Sequence, residues 1–225
     1  MYRLHGIADW GSQVIHMALA EAQLPYQLEW VDWRAGGLKA PGYLALNPFA
    51  RVPTLETPGG PIFETAAILL HLAEQHTAFA PLSQDPDRAA FLTWFIFVTN
   101  GLHPAAMALL HPERAGGEAV QRAVADATHD LLKSQLAALD KVAAEGHWWL
   151  SGDRPSILSL YVAMLLRWIK AFPCYREHSI PSQDYPALHR MAKGIETRPL
   201  IQAAMQAEGL SGPLFSNPPC ETVAG

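Results

Sequence analysis

The chain has 225 residues, half of them hydrophobic and 16% charged, with a formal net charge of -5. That length and apolar content allow one large or two small domains with a sizeable core, and they exclude disorder over the bulk of the chain. The negative balance, with no block of Lys or Arg, gives no electrostatic reason to bind nucleic acid or an anionic membrane.

The N-terminus, MYRLHGIADW, lacks a basic start followed by a long apolar run, so no secretory signal is read there and a cytoplasmic location is expected. Met1–His5 is a short apolar strand candidate. Gly11-Ser12 opens a helix, with Val14, Met17 and Ala18 spaced on one face. Tyr26–Trp33 alternates as a second strand, and the Gly/Pro-rich stretch Gly36–Gly42 reads as loop or short helix. Pro53–Thr57 and Pro61–Phe63 flank Pro58-Gly59-Gly60, a hairpin signal. Ala66–Gln75 is helical again, with Ile68, Leu69 and Leu72 on one face.

After a polar linker at Ser83–Asp87 the strand signals stop. Helical patterns follow at about 88–112, 118–145, 156–171 and 187–208. Ile157–Ile169 is apolar on nearly all sides, as expected of a helix at the centre of a bundle. The apolar stretches Phe91–Val98 and Ile157–Leu166 are each too short to span a bilayer, so no membrane association is expected. From Gly212 onward the chain is Pro/Gly/Ser-rich and reads as an extended tail. The expected domains are therefore α/β over 1–78 and all-helical over 88–211, with a tail over 212–225. Cys174 and Cys220 are the two cysteines, expected reduced, and with no HExxH and no Cys/His cluster no metal is expected.

The most informative stretch runs from Leu46 to Leu72, LNPFARVPTLETPGGPIFETAAILLHL. Pro53 cannot donate to a ladder. It is either an ordinary trans proline opening a strand or a cis Val52-Pro53 turn that leaves the Val52 backbone facing outward, able to pair with a peptide ligand. Glu64-Thr65 stands at a helix start, where free N–H groups attract carboxylates. There the Thr65 hydroxyl and Glu64 carboxylate suit the charged end of an amino acid, or else Thr65 is a plain cap and Glu64 solvated surface.

This block resembles the glutathione S-transferase family, whose motif runs Asn-Pro-x-Gly-(Lys/Gln)-Val-Pro-x-Leu and then Glu-Ser-x-Ala-Ile. The matching residues are Asn47, Pro48, Val52, Pro53 and Leu55, then Glu64, Thr65, Ala67 and Ile68. Ala50 stands in place of Gly, and Thr65 in place of Ser. Tyr185-Pro-Ala-Leu and Arg198-Pro-Leu are similar to the family's last helices. Ser156-x-x-Ser159 occupies the place of its internal capping box, with Ser159 where Asp is usual. The resemblance implies a thioredoxin-like α/β N-terminal domain followed by an all-α helical-bundle C-terminal domain. It implies that Val52 pairs with the cysteinyl backbone of glutathione beside a cis Pro53, that Glu64 and Thr65 hold the γ-glutamyl end, and that Arg51 contacts the glycyl carboxylate or the peptide backbone.

Transfer chemistry needs the glutathione thiol as thiolate, against a free pKa of about 8.5. The family places the activating Tyr, Ser or Cys just after the first strand, which here is Ile7-Ala8-Asp9-Trp10-Gly11-Ser12-Gln13. Ser12 is the only hydroxyl in that segment. It either activates the thiol or caps the helix. A gap-free match to beta-type bacterial members puts Gly11 where they carry cysteine, and a match to theta- and zeta-type members puts Asp9 where they carry serine. His103 resembles a histidine that beta-type members place near the sulfur, where His⁺ would stabilise a thiolate and neutral His would accept its proton. Its other reading is a packing residue at the bend made by Pro104. Trp10, Met107 and Leu110 are candidates for an apolar pocket. The resemblance thus implies a cytoplasmic homodimer that uses glutathione as co-substrate against a small hydrophobic electrophile. The competing readings are a non-catalytic binding protein of the same family and a glutathione-dependent reductase or peroxidase.

Overall fold

The computed structural model describes residues 1–76 and 79–220; the expected boundary at 78 and the last five residues of the tail lie outside them. Contacts divide the chain into two units, Met1–Phe79 with Arg198–Ser211, and Ala80–Thr197 with the segment from Gly212 onward.

In the first unit, strands β1 (Tyr2–Gly6), β2 (Tyr26–Trp30), β3 (Thr54–Thr57) and β4 (Gly60–Phe63) form a four-stranded sheet among the described residues, in the order β2-β1-β3-β4. β1 runs parallel to β2 with Leu4 opposite Leu28, which requires the crossover helix α1 (Ser12–Glu21) between them. β3 is antiparallel to β1 and to β4, and the Pro58-Gly59 turn closes that hairpin. The stretch expected as loop or short helix holds a 3₁₀ turn at Gly37–Lys39 and α2 (Pro41–Leu44). α3 (Thr65–Gln75) follows β4 and packs against α1. Leu4, Val14, Ile15, Leu19, Leu55, Ile68 and Leu69 are wholly buried, so the core lies where the apolar periodicities put it.

The second unit is helical. A continuous helical run from Arg88 to Leu110 comprises α4 (Arg88–Phe97), a π-helical stretch at Val98–Leu102 and α5 (His103–Leu110). Pro104 has no N–H to give the carbonyl four residues before it, and the wider turn stands immediately ahead of it. At 23 residues and mean hydropathy 1.2 the whole run meets the length and composition of a membrane span, whereas its Phe91–Val98 segment alone is too short for one. A core helix meets the same criteria, and Phe91, Phe95, Val98, Leu102, Ala106 and Leu109 are fully buried against the rest of the unit.

α6 (Glu118–Ala144) is amphipathic and buries Ala125, Thr128, Leu132, Leu136 and Leu139 on one stripe. α7 (Ile157–Ala171) buries fourteen of its fifteen residues and is the centre of the bundle. Its start carries the expected capping box with serine in both roles. Ser156 Oγ accepts from the N–H groups of Leu158 and Ser159 (3.0 and 3.2 Å), and Ser159 Oγ accepts from the Ser156 N–H at 2.8 Å. Asp140 on α6 accepts from the first N–H groups of α8 (Pro186–Glu196), those of Ala187 and Leu188. The pattern expected as one helix over 187–208 is two, because Pro199 ends the first and opens α9 (Pro199–Ala207). By contact α9 belongs to the first unit, against α1. The tail has no helix or strand through Cys220, yet it is docked. Leu214, Phe215 and Ser216 are buried, and Glu196 accepts from the N–H groups of Phe215 and Ser216.

Candidate functional site

The block from Leu46 to Thr65 folds around two polar locks. Asn47, 3% exposed, donates from Nδ2 to the Arg51 carbonyl (2.8 Å) and accepts from the Phe49 N–H through Oδ1. The Tyr43 hydroxyl donates to the same Arg51 carbonyl at 2.6 Å and lies 3.0 Å from Thr54 Oγ1. Burial raises the Tyr43 pKa, so it stays a phenol and keeps its proton for that bond. These locks force Ala50 to φ +54°, a conformation natural to the family's glycine and costly for alanine. They deliver Val52 and Pro53 joined by a cis peptide bond, ahead of β3 and outside its ladder. Pro53 is buried, Val52 half-buried, and the Arg51 side chain exposed.

Across from this turn lies the start of α3. Glu64 is its N-cap, held at φ +74°, and no side chain caps the helix. The plain-capping reading of Thr65 therefore does not hold: Thr65 is the first helical residue, 7% exposed. Glu64 is exposed, and its carboxylate makes no hydrogen bond or ion pair among the described residues. An uncapped helix N-terminus beside an unengaged carboxylate and a hydroxyl is a donor-and-acceptor set for a zwitterionic ligand. A strained φ at a non-glycine residue in that place fits a functional demand, since such conformations cost about 1–3 kcal/mol.

The third wall is Gly11. A Cβ placed there would stand 3.5 Å from Pro53 Cδ, 3.6 Å from Thr65 Oγ1 and 3.7 Å from the Val52 carbonyl oxygen. The turn after β1, the cis proline and the start of α3 thus converge on one spot within the first unit. Val52, Pro53, Glu64 and Thr65 are brought together; Arg51 is beside them with its side chain free in solvent.

Ser12 lies next to this spot but faces away from it. It is 1% exposed, accepts from the Ile7 N–H (3.1 Å) and donates to the Ile7 carbonyl (2.9 Å). A side chain on Gly6 would meet Ser12 Oγ at 2.7 Å, so glycine there makes room for it. The helix N-cap is Gly11, with no side-chain cap. The expected choice for Ser12 was thiol activation or capping. The hydroxyl is not the helix cap; it ties the end of β1 to the first turn of α1.

His103 belongs to the second unit. Its Nδ1 forms a hydrogen bond with the Tyr161 hydroxyl, and its ring meets Tyr161 and Trp168 edge-on. Desolvation by burial lowers its pKa to about 4, so the ring is neutral at physiological pH. A cationic His103 is thereby replaced by a neutral one. Trp10 is 41% exposed and lies tilted against Trp33 with ring centroids 5.5 Å apart, with the Arg34 guanidinium over Trp33. Met107 and Leu110 are half-buried residues of the second unit.

Two contributors had no sequence signal. Tyr43 is an ordinary aromatic in a short helix until its hydroxyl is traced to Arg51. Glu208 sits just past α9, and its carboxylate reaches His16 and the Asp9 N–H, contacts separated by 192 and 199 residues.

Residues 12–75 match the family described as glutathione S-transferase, N-terminal domain, and residues 121–190 the one described as glutathione S-transferase, C-terminal domain. The glutathione S-transferase GST-4.5 of Xanthomonas campestris pv. campestris is 30% identical over 207 residues, covering 87% of this chain and 93% of that protein. The disulfide-bond oxidoreductase YfcG of Escherichia coli is 30% identical over 203 residues, covering 86% and 90%. A sphingomonad glutathione S-transferase solved in complex with glutathione superposes with a TM-score of 0.74 at 29% identity, covering 93% of this chain and all of that one. With matches to both domains and this coverage of its relatives, the chain belongs to the glutathione S-transferase family.

Proposed function

We propose that the chain is a glutathione transferase whose first unit binds glutathione and directs its thiol at a small hydrophobic electrophile. The observation that carries this reading is the bare start of α3 facing the cis Val52-Pro53 turn. The ligand's γ-glutamyl carboxylate accepts from the first N–H groups of α3 and from the Thr65 hydroxyl, while Glu64 takes its ammonium group. The Val52 backbone pairs with the cysteinyl residue as an added strand would. Arg51, free in solvent, reaches the glycyl carboxylate. The sphingomonad relative solved with glutathione supports this assignment.

In this reading the sulfur sits by Gly11. Its anion is favoured by the N-terminal end of α1, whose dipole and backbone N–H groups attract negative charge. Ser12 contributes by fixing that end in place through Ile7, and His103 contributes no positive charge at neutral pH. The same reading makes the protein a cytoplasmic homodimer, with exposed Ile96 and half-buried Trp94 and Phe97 on α4 offering apolar surface for association.

Calorimetric titration with glutathione, alongside turnover of a generic aryl halide, tests it. Binding and conjugation are expected in the wild type. Glu64→Gln should weaken binding about tenfold, or about 1.4 kcal/mol, through loss of the charge-assisted contact. No binding at millimolar glutathione would overturn the proposal. A second reading, a glutathione-dependent disulfide reductase, draws on the E. coli relative named as an oxidoreductase and on a Ser12 hydroxyl already engaged with Ile7. Reduction of a small dialkyl disulfide without aryl halide turnover would favour it, and binding with neither activity would mark an interaction protein.

A further inference from the structure

The turn that closes the sulfur side of the site, Asp9-Trp10-Gly11, is not held by its own neighbours alone. Asp9 has φ +60°, a left-handed conformation that an aspartate adopts at some cost. Its N–H donates to Glu208 Oε2 at 2.8 Å. The other oxygen of the same carboxylate accepts from His16 Nδ1, also at 2.8 Å. The His16 and Glu208 side chains are only 2% and 1% exposed, and the His16 ring is braced edge-on by Tyr26 and Trp30. A buried carboxylate with both oxygens engaged is a rigid fixture, because either oxygen left unpaired would cost desolvation energy.

We propose that Glu208 is a positioning residue for the thiol chemistry. From the C-terminal end of α9 it clamps the Asp9 backbone and so fixes Gly11 and the start of α1 where the glutathione sulfur must be received. The proposal rests on the glutathione reading above and adds to it a residue that does not touch the ligand. α9 has a second tie to α1, the pair between Arg198 and Glu21, at the opposite end of the helix and away from the turn. That pair docks α9 without reaching Asp9. The two ties therefore separate a structural role for α9 from a positioning role for Glu208.

The test uses the full chain and three variants, Glu208→Ala, Glu208→Gln and Arg198→Ala. Each is measured for kcat and KM with glutathione and an aryl halide, for glutathione affinity by calorimetry, and for hydrogen exchange of the Asp9 amide. Glu208→Ala should lower kcat about tenfold or more while glutathione affinity changes by less than about threefold, since the binding groups on α3 and at Val52 are untouched. The Asp9 amide should exchange at least about tenfold faster, having lost its acceptor. Glu208→Gln keeps an acceptor oxygen for Asp9 and should recover kcat to within about threefold, with Asp9 protected. Arg198→Ala should lower stability with kcat unchanged. Wild-type kcat and Asp9 protection in Glu208→Ala would overturn the proposal, as would an equal loss of kcat in Arg198→Ala. A wild type that binds no glutathione overturns the glutathione reading and this role of Glu208 with it. The Asp9 exchange then still reports whether Glu208 clamps the turn, so the two failures are told apart.

Discussion

Replacing Ser12 by alanine separates catalysis from architecture. The hydroxyl is the acceptor for the buried Ile7 N–H and a donor to the Ile7 carbonyl. In Ser12→Ala the carbonyl keeps a second donor, the Trp10 N–H at 3.2 Å, but the Ile7 N–H has no other partner among the described residues. An orphaned buried N–H costs about 1–3 kcal/mol, and the lost donor bond adds a smaller amount, so a destabilisation of about 2 kcal/mol is expected. Urea unfolding followed by far-ultraviolet circular dichroism measures it as a lower midpoint at unchanged slope. The ultraviolet absorbance of bound glutathione thiolate, titrated in the same variant, should give a pKa within about 0.3 units of wild type, since a full unit corresponds to about 1.4 kcal/mol of direct interaction with the sulfur. A thiolate pKa raised by a unit or more, with stability intact, would refute the argument and return Ser12 to the chemistry.

Three further outcomes follow from single features of the structure. Ala50→Gly should stabilise the protein by about 0.5–1 kcal/mol in the same unfolding assay, because it relieves a left-handed φ that alanine bears poorly. Ser156→Ala should destabilise by about 2–3 kcal/mol, read as a drop in thermal midpoint, since it removes the acceptor for two N–H groups and the donor to the Trp149 carbonyl. His103 is neutral when folded down to about pH 4, whereas in the unfolded chain it takes up a proton near pH 6.5. Stability should therefore fall as pH drops from about 6.5 toward 4, by roughly 3 kcal/mol at most. His103→Gln should flatten that part of a pH series of unfolding midpoints.

The parts of the fold that were legible in the sequence are those set by local periodicity and local chemistry. The strands, α1, α3, α6 and the largely apolar α7 follow from spacing, and the hairpin from Pro58-Gly59-Gly60. The two-serine capping box lies within four residues. The helical pattern over 187–208 runs through Pro199, which divides it into α8 and α9. The juxtaposition of Val52, Pro53, Glu64 and Thr65 is readable because they lie within fourteen positions, where a turn, a hairpin and a helix start impose fixed offsets. Ser12 shows the limit. A serine at a helix start has the same local signature whether its hydroxyl points at a ligand or at Ile7, and only the path of β1 decides between them.

That limit also explains why one half of the site is set locally and the other is not. The half proposed to hold glutathione is built by bonds that stay within the block: Asn47 and Tyr43 to the Arg51 carbonyl, and the Glu64 backbone at the head of α3. The half proposed to receive the sulfur depends on the Asp9 turn, whose clamp arrives from residue 208. Substitutions in the block should therefore act on glutathione affinity, whereas loss of the Glu208 clamp should act on turnover. Thr65→Ala and Glu208→Ala make the pair that decides it. In the proposed binding mode the Thr65 hydroxyl donates to the ligand's carboxylate in ground and transition states alike, so its loss should raise KM about fivefold and leave kcat nearly unchanged. Glu208→Ala should show the reverse split. If both variants moved KM and kcat together, the two halves would be one cooperative unit, and the division argued from their hydrogen bonds would be wrong.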